Sequence, residues 1–195
     1  MTEKVIILID CGYFDYINWY AKRNLGKKID LGKFSDKVAK GKQLIRTKIY
    51  HANPYKKDES PEEVEKYKKS QQFFYAINRI PKHQFVPVGR VRPIKFHCPK
   101  CKKDYTDPKQ KGVDVAIALD LVKMAQNRSA DIFILISGDE DLSEAVAMAQ
   151  QGPCNVIIYY CYDRDLNMYG SVKLNNVASD RVNMDLKFLS ECLMS

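Results

Sequence analysis

Five consecutive apolar residues, Val5-Ile6-Ile7-Leu8-Ile9, form the first patterned segment of the chain and end at Asp10. A β-branched run without alternation fits a strand covered on both faces, as in a parallel sheet. Asp131 to Ser137 (DIFILIS) and Asn155 to Cys161 (NVIIYYC) have the same character. Gln43 to His51 alternates well enough to predict another strand. Gln84 to His97 is strand-like but carries Pro87, Gly89 and Pro93, which predicts a strand or an edge hairpin.

Helical periodicity fills the gaps. Tyr13 to Asn24 places Phe14, Ile17 and Ala21 on one face, with Gly26 as its stop. Asp30 to Lys40 predicts a short second helix. Ser60-Pro61-Glu62-Glu63 is a helix start with Ser60 as N-cap, running to about Asn78, where Phe73, Phe74 and Ile77 read as core. Gly112 to Gln126 puts Val113, Ile117, Leu121 and Met124 on one face. Leu142 to Gln151 closes at Gly152, and the last stretch predicts a strand near Val182 to Leu186 and a short helix. Strand–helix alternation with buried strands predicts an α/β fold, a Rossmann-like parallel sheet sandwiched by helices. A length of 195 residues suits a single domain over 1–195, with 84–111 inserted as a strand or hairpin plus a loop.

Charge divides the chain. Residues 1–111 hold 26 Lys and Arg against 12 Asp and Glu, a net +14; residues 112–195 hold 6 against 12, a net −6. A basic front and an acidic back suit a protein that grips a polyanion with one part and a divalent cation with the other; solvated lysine-rich helices would give the same front. No apolar run approaches the ~20 residues of a membrane span, and Val5 to Ile9 is too short for a signal-peptide core. The chain is therefore read as cytoplasmic, with most of its six cysteines reduced.

Candidate chemistry lies where strands end, because sites in open parallel sheets form at the carboxyl edge. Asp10 ends the first strand, Asp139 and Asp141 follow Ser137-Gly138, and Asp114 sits in the first turn of the helix from Gly112. Each has an alternative as a helix cap or first-turn acid. Yet a cap is served equally by Ser or Asn, and all four positions are Asp. Carboxylates drawn together repel unless a cation joins them, and hard oxygens favour Mg²⁺ or Mn²⁺, the ions of phosphodiester hydrolysis. Ser137 and Ser143 are candidates for a phosphate contact or for capping.

His97-Cys98-Pro99-Lys100-Cys101 offers two thiolates and an imidazole, half of a structural Zn²⁺ site, with a reduced surface pair or a redox pair as the alternatives. The missing ligand could come from His51, His83, Cys11 or a second chain, the last giving a homodimer. Around it Lys100, Lys102, Lys103, Lys109 and Lys111 suit a phosphate backbone, and the loop leads into Asp114. Tyr55 and Tyr105 are the loop aromatics best placed to stack on bases. Trp19 reads as packing.

The segments VIILIDCGYF, KGVDVAIALDLV and FILISGDEDLSEAV resemble, in order, the three signature blocks of the NYN domain family, in its LabA-like branch, within the PIN-like nucleases. The resemblance implies a metal-dependent endoribonuclease acting on RNA, with Asp10, Asp114 and Asp139 as metal ligands and Asp141 as the fourth acid. The family usually has Asn shortly after the first Asp; here Gly12-Tyr13-Phe14 follow and Asn18 lies a turn later. Asp120, also in the middle block, falls about 240° round the helix from Asp114 and reads as structural. Three other readings compete. A non-catalytic RNA-binding scaffold would use the same fold. A HAD-like phosphatase would need Asp where Gly12 stands. A dinucleotide enzyme would need a glycine-rich turn after the first strand.

Overall fold

A computed structural model describes residues 2–53, 61–166 and 168–194. The chain runs β1 (Lys4–Asp10), α1 (Cys11–Leu25), α2 (Leu31–Val38), β2 (Gln43–Asn53), α3 (Pro61–Arg79), β3 (His83–His97) and β4 (Asp104–Lys111). It continues through α4 (Val113–Gln126), β5 (Ile132–Ile136), a 3-10 turn (Glu140–Leu142), α5 (Ser143–Ala149), β6 (Asn155–Tyr160), α6 (Val172–Val177), β7 (Asp180–Asn183) and α7 (Leu186–Ser190). The strands form one sheet in the order β4-β3-β2-β1-β5-β6-β7. Six are parallel, and β4 runs antiparallel to β3. Helices cover both faces, the PIN-like α/β arrangement. Ser60 lies outside the described residues, as does Tyr55.

The apolar runs explain the centre. In β1, Val5, Ile7 and Ile9 face a core shared with α1, α2, α3 and α7. Ile6 and Leu8 face a second core built with α4 and α5. Both faces of β1 and β5 are covered, so neither strand alternates with polar residues. From β1 the chain first builds outward through β2 and β3. It then returns to β5 on the other side of β1 and builds outward again through β6 and β7. The order reverses between β1 and β5, and a crevice opens there at the strands' carboxyl ends.

Two expectations fail at the sheet edge. The polar, lysine-rich segment 98–111 is not a loop: Arg90–His97 pairs antiparallel with Asp104–Lys111, leaving only residues 98–103 as the turn. Beyond Asn53↔Arg90 the pairing with β2 ends, so β3 and β4 continue as a two-stranded ribbon. Lysines and prolines masked the strand because propensity is a weak guide where one partner strand supplies all the pairing. Further on, the strand expected at Val182 to Leu186 begins two residues earlier, at Asp180. Asp185 instead caps α7, its carboxylate accepting from the Phe188 amide at 2.7 Å.

Candidate functional site

Asp10 and Asp139 are built alike. Asp10 ends β1 and Asp139 lies three residues after β5; each is in extended conformation and caps the turn that follows. Asp10 Oδ1 accepts from the Gly12 amide at 2.9 Å, and Asp139 Oδ1 accepts from the Asp141 amide at 3.0 Å. Capping and site-building are therefore joint roles of the same carboxylates, each cap engaging one oxygen of its pair. Because Ile9 pairs with Ile136, the two carboxylates emerge from neighbouring strands at the switch of the sheet. Asp114 enters from the first turn of α4.

The three acids line one cavity of 540 Å³ together with Gly12, Tyr13, Tyr16, Val113, Gly138 and Tyr169. Burial raises the Asp10 carboxyl to about 6, with the charges of Asp114 and Asp139 adding to the rise and the Gly12 amide opposing it. Asp114 is raised chiefly by burial, then by the charges of Asp139 and Asp141. Asp141 itself is exposed and stands at the rim rather than among the lining residues. Among the described residues, no three of His, Cys, Asp and Glu are gathered closely enough to hold a bare ion directly. Mg²⁺ does not require that: it retains several waters and is held through one or two carboxylates. The donor chemistry of Asp10, Asp114 and Asp139 fits such an ion.

Several side chains around the acids were not marked by the sequence. The Tyr13 ring lies across Gly138, where a Cβ would sit 2.8 Å from Tyr13 Cε2. Its hydroxyl accepts from the Cys161 amide at 3.1 Å, tying the acid-bearing β5 turn to the end of β6. Tyr16 lines the cavity and stacks on Trp19, with ring centroids 5.5 Å apart and planes within 4°. The Arg23 guanidinium lies 5.5 Å from the Trp19 ring centroid. Trp19 is 45% exposed, so its expected packing role is corrected. The signal was available: Tyr16, Trp19 and Arg23 follow helical spacing on the face opposite Phe14, Ile17 and Ala21. A second cavity, of 640 Å³, lies across α1 and includes Cys11, Asp15, Lys28, His51 and Phe73. Phe73 is 47% exposed, against the core role expected of it, while its neighbours Phe74 and Ile77 are buried.

Other expected site residues are placed elsewhere. Ser137 is fully buried and its Oγ accepts from the Asp139 amide at 3.2 Å. It supports Asp139 from beneath and cannot reach a phosphate. Ser143 is likewise buried, donating to the Glu140 carbonyl at 2.6 Å. The Asn18 amide oxygen accepts from the Ile29 amide, so it braces the end of α1 and takes no part in the acid cavity. Asp120 is held by the Lys48 ammonium and the Tyr50 hydroxyl, the latter at 2.8 Å. Replacing Asp120 by Ala should cost about 1–3 kcal/mol by leaving a half-buried lysine unpaired. Urea unfolding should show that loss, with the acid cavity and any cation binding unchanged.

The hairpin moves the CxxC away from the acids. Lys111, exposed at its base, adjoins Gly112 and Asp114. Lys100, Lys102 and Lys103 sit at its tip, seven paired residues further out, roughly 23 Å at ~3.3 Å per residue. Lys109 lies within β4, and its side chain is outside the described residues. Tyr105 is 51% exposed near the tip. The tip lysines therefore do not lead a strand of nucleic acid straight into Asp114, as the loop reading expected.

The NYN domain model matches residues 4–179. The chain belongs to the NYN domain family. No curated protein matches it. Among solved structures, it is similar to a crystal structure of a protein of unknown function from Vibrio parahaemolyticus. The two are 22% identical with a TM-score of 0.61, over 99% of this chain and 97% of that one. That similarity supports the fold alone. A match to a proposed oxidoreductase from Parabacteroides merdae has a TM-score of 0.31 at 14% identity, over 81% of this chain and 25% of that one. It carries no argument. As an NYN domain the chain falls within the PIN-like nucleases. No helix among the described residues is long and apolar enough to cross a membrane.

Proposed function

We propose that this NYN domain is a metal-dependent endoribonuclease of the LabA-like branch, acting in the cytoplasm. The observation that carries the reading is the convergence of Asp10, Asp114 and Asp139 in one cavity at the switch of the sheet. The electrostatics give it force. Burial, with neighbouring acidic charge, raises the carboxyls of Asp10 and Asp114, a cost that a stable fold tolerates most readily where function needs it. Asp10, Asp114 and Asp139 would hold Mg²⁺ or Mn²⁺, with Asp141 acting from the rim. Such an ion supplies charge neutralisation at the phosphate and an activated water. The chain's own residues do the rest. Ser137 and the Gly12 amide fix the acids, and Tyr13 locks the β5 turn. Tyr16 and Trp19 offer ring faces beside the acids on which unpaired bases stack, with Arg23 and Lys111 near the backbone.

The test is cleavage of single-stranded and structured RNA, with matched DNA as control, in Mg²⁺, in Mn²⁺ and in EDTA. RNA should be cut internally in either ion and left intact in EDTA. Trp19→Ala should weaken binding of single-stranded RNA by about 10-fold, the lower part of the range for one lost stacking contact. Tight RNA binding without cleavage in either ion would instead favour a non-catalytic RNA-binding module.

A further inference from the structure

At the ribbon tip, Cys98 and Cys101 flank a tight turn. The Cys98 amide donates to the Lys103 carbonyl at 3.0 Å and the Lys102 amide to the Cys98 carbonyl at 2.9 Å. Lys102 adopts φ +54°, the left-handed conformation that a lysine takes only when the surroundings demand it. That turn sets Cys98 and Cys101 on one short loop between the two strands. The Tyr105 hydroxyl lies 3.2 Å from the Cys101 sulfur. A thiolate can only accept, so Tyr105 donates to it once it is ionised. Zn²⁺ needs ligands of this kind: deprotonated, paired by a turn, and hydrogen-bonded from outside.

Among the described residues, the other candidate ligands do not complete the set. His83 stands at the opposite end of β3, fifteen residues away, on the order of 45–50 Å along an extended strand. Its ring is engaged by Ser35 Oγ and the Pro81 carbonyl. His51 pairs with Pro87, eleven residues before Cys98, roughly 35 Å along the same strand. Cys11 is buried at the start of α1, one strand further away. All three are therefore excluded as the missing ligand. His97 Nδ1 is held by Asp104 across the ribbon at 2.9 Å. Among the described residues no three His, Cys, Asp or Glu side chains gather closely enough to hold an ion, which leaves two sulfurs for an ion that takes four ligands.

We propose that two copies of the chain join hairpin tip to hairpin tip through one tetrahedral Zn²⁺, held by Cys98 and Cys101 of each copy. Binding releases the four thiol protons and leaves a site of charge −2. Lys100, Lys102 and Lys103, exposed on both copies, surround and offset it. The ribbon has a mechanical need for the clamp. Past Arg90 it has no third strand among the described residues, and an isolated two-stranded hairpin is marginally stable in water. A shared ion would hold the tips rigid and place two acid cavities in one particle. This site is separate from the acid cavity and stands whether or not that cavity cleaves RNA.

The test uses the full chain, expressed with zinc and purified under reductant, with metal content and light-scattering mass measured on the same fractions. The expected result is a dimer carrying one zinc per two chains, split to monomer by a zinc chelator. Cys98→Ser and Cys101→Ser should each give a zinc-free monomer with the thermal midpoint of the sheet unchanged. His97→Ala should keep both zinc and dimer. Replacement by Co²⁺ should give the visible absorption of a tetrahedral tetrathiolate site. One zinc per chain, a zinc-bearing monomer, wild-type protein without zinc, or zinc or dimer surviving in the Cys variants would each overturn the proposal. So would a dimer that a reductant splits and a chelator does not.

Discussion

Asp10→Asn is expected to make the metal-free protein more stable and the enzyme inactive. The asparagine keeps a side-chain oxygen to cap the Gly12 amide, so α1 begins as before. What it removes is a carboxylate raised to about 6 by burial and by its acidic neighbours. The sign follows from linkage. The ordinary value is 3.8, so the folded state binds this proton more tightly than the unfolded chain does. The benefit is complete below about pH 4 and is lost as pH rises through 6. At pH 7.5 the ionised Asp10 costs up to about 3 kcal/mol, at 1.36 kcal/mol per pH unit. Its residual solvent contact reduces that figure. Melting should show the gain at pH 7.5, at roughly 2–4 °C per kcal/mol for a chain of this size, and little difference at pH 4. Mn²⁺ should stabilise the wild type and leave Asp10→Asn unmoved, because an ion that binds only the folded state raises stability by mass action. RNA cleavage should fall by at least ~100-fold. A variant that is less stable at pH 7.5 and still responds to Mn²⁺ would refute the shared acid site.

Gly89→Ala is the second substitution expected to have a large effect, and it acts at a distance from the acids. Gly89 lies at the base of the ribbon with φ +72°, and a Cβ there would lie 2.1 Å from the Lys111 carbonyl oxygen. That carbonyl is backbone, one residue before Gly112 and three before Asp114, so it cannot step aside as a flexible side chain would. The junction between β4 and α4 must open. The left-handed conformation and the overlap together should cost about 3 kcal/mol, or roughly 6–12 °C. Because the junction carries Asp114, Mn²⁺ stabilisation should weaken as well. Gly41→Ala separates the two causes. Gly41 has φ +81° and nothing within 4 Å of the added Cβ, so it should cost only about 1 kcal/mol and leave Mn²⁺ binding intact. Equal losses at Gly89 and Gly41 would mean that the close approach at Gly89 has no consequence.

These two cases show which parts of the site were legible in the residues. Asp10 and Asp139 could be found because each follows an apolar run, and the end of a parallel strand is a place that periodicity marks. Asp114 could be found because a helix start is also marked. The dual role of Asp10 and Asp139, capping a turn and lining the cavity, is a matter of which oxygen faces where, and periodicity carries no such detail. Ser137 was left open between a phosphate contact and capping for the same reason. A serine beside an acid can face outward to a substrate or inward to the backbone, and only the buried position decides.

The strands, their order of appearance and the acids at their ends follow from local pattern, since burial on both faces leaves a direct mark on residue choice. What that pattern cannot carry is pairing between distant segments. The ribbon of β3 and β4 is polar, basic and interrupted by proline, and it exists because backbone groups of residues 90–97 meet those of 104–111. Its extension moves Cys98 and Cys101 away from Asp114 and from His51, His83 and Cys11. The reversal of strand order between β1 and β5, which brings Asp10 and Asp139 side by side, is equally a product of the whole fold. Local sequence determined which groups the protein owns; the register of distant strands decided which of them meet.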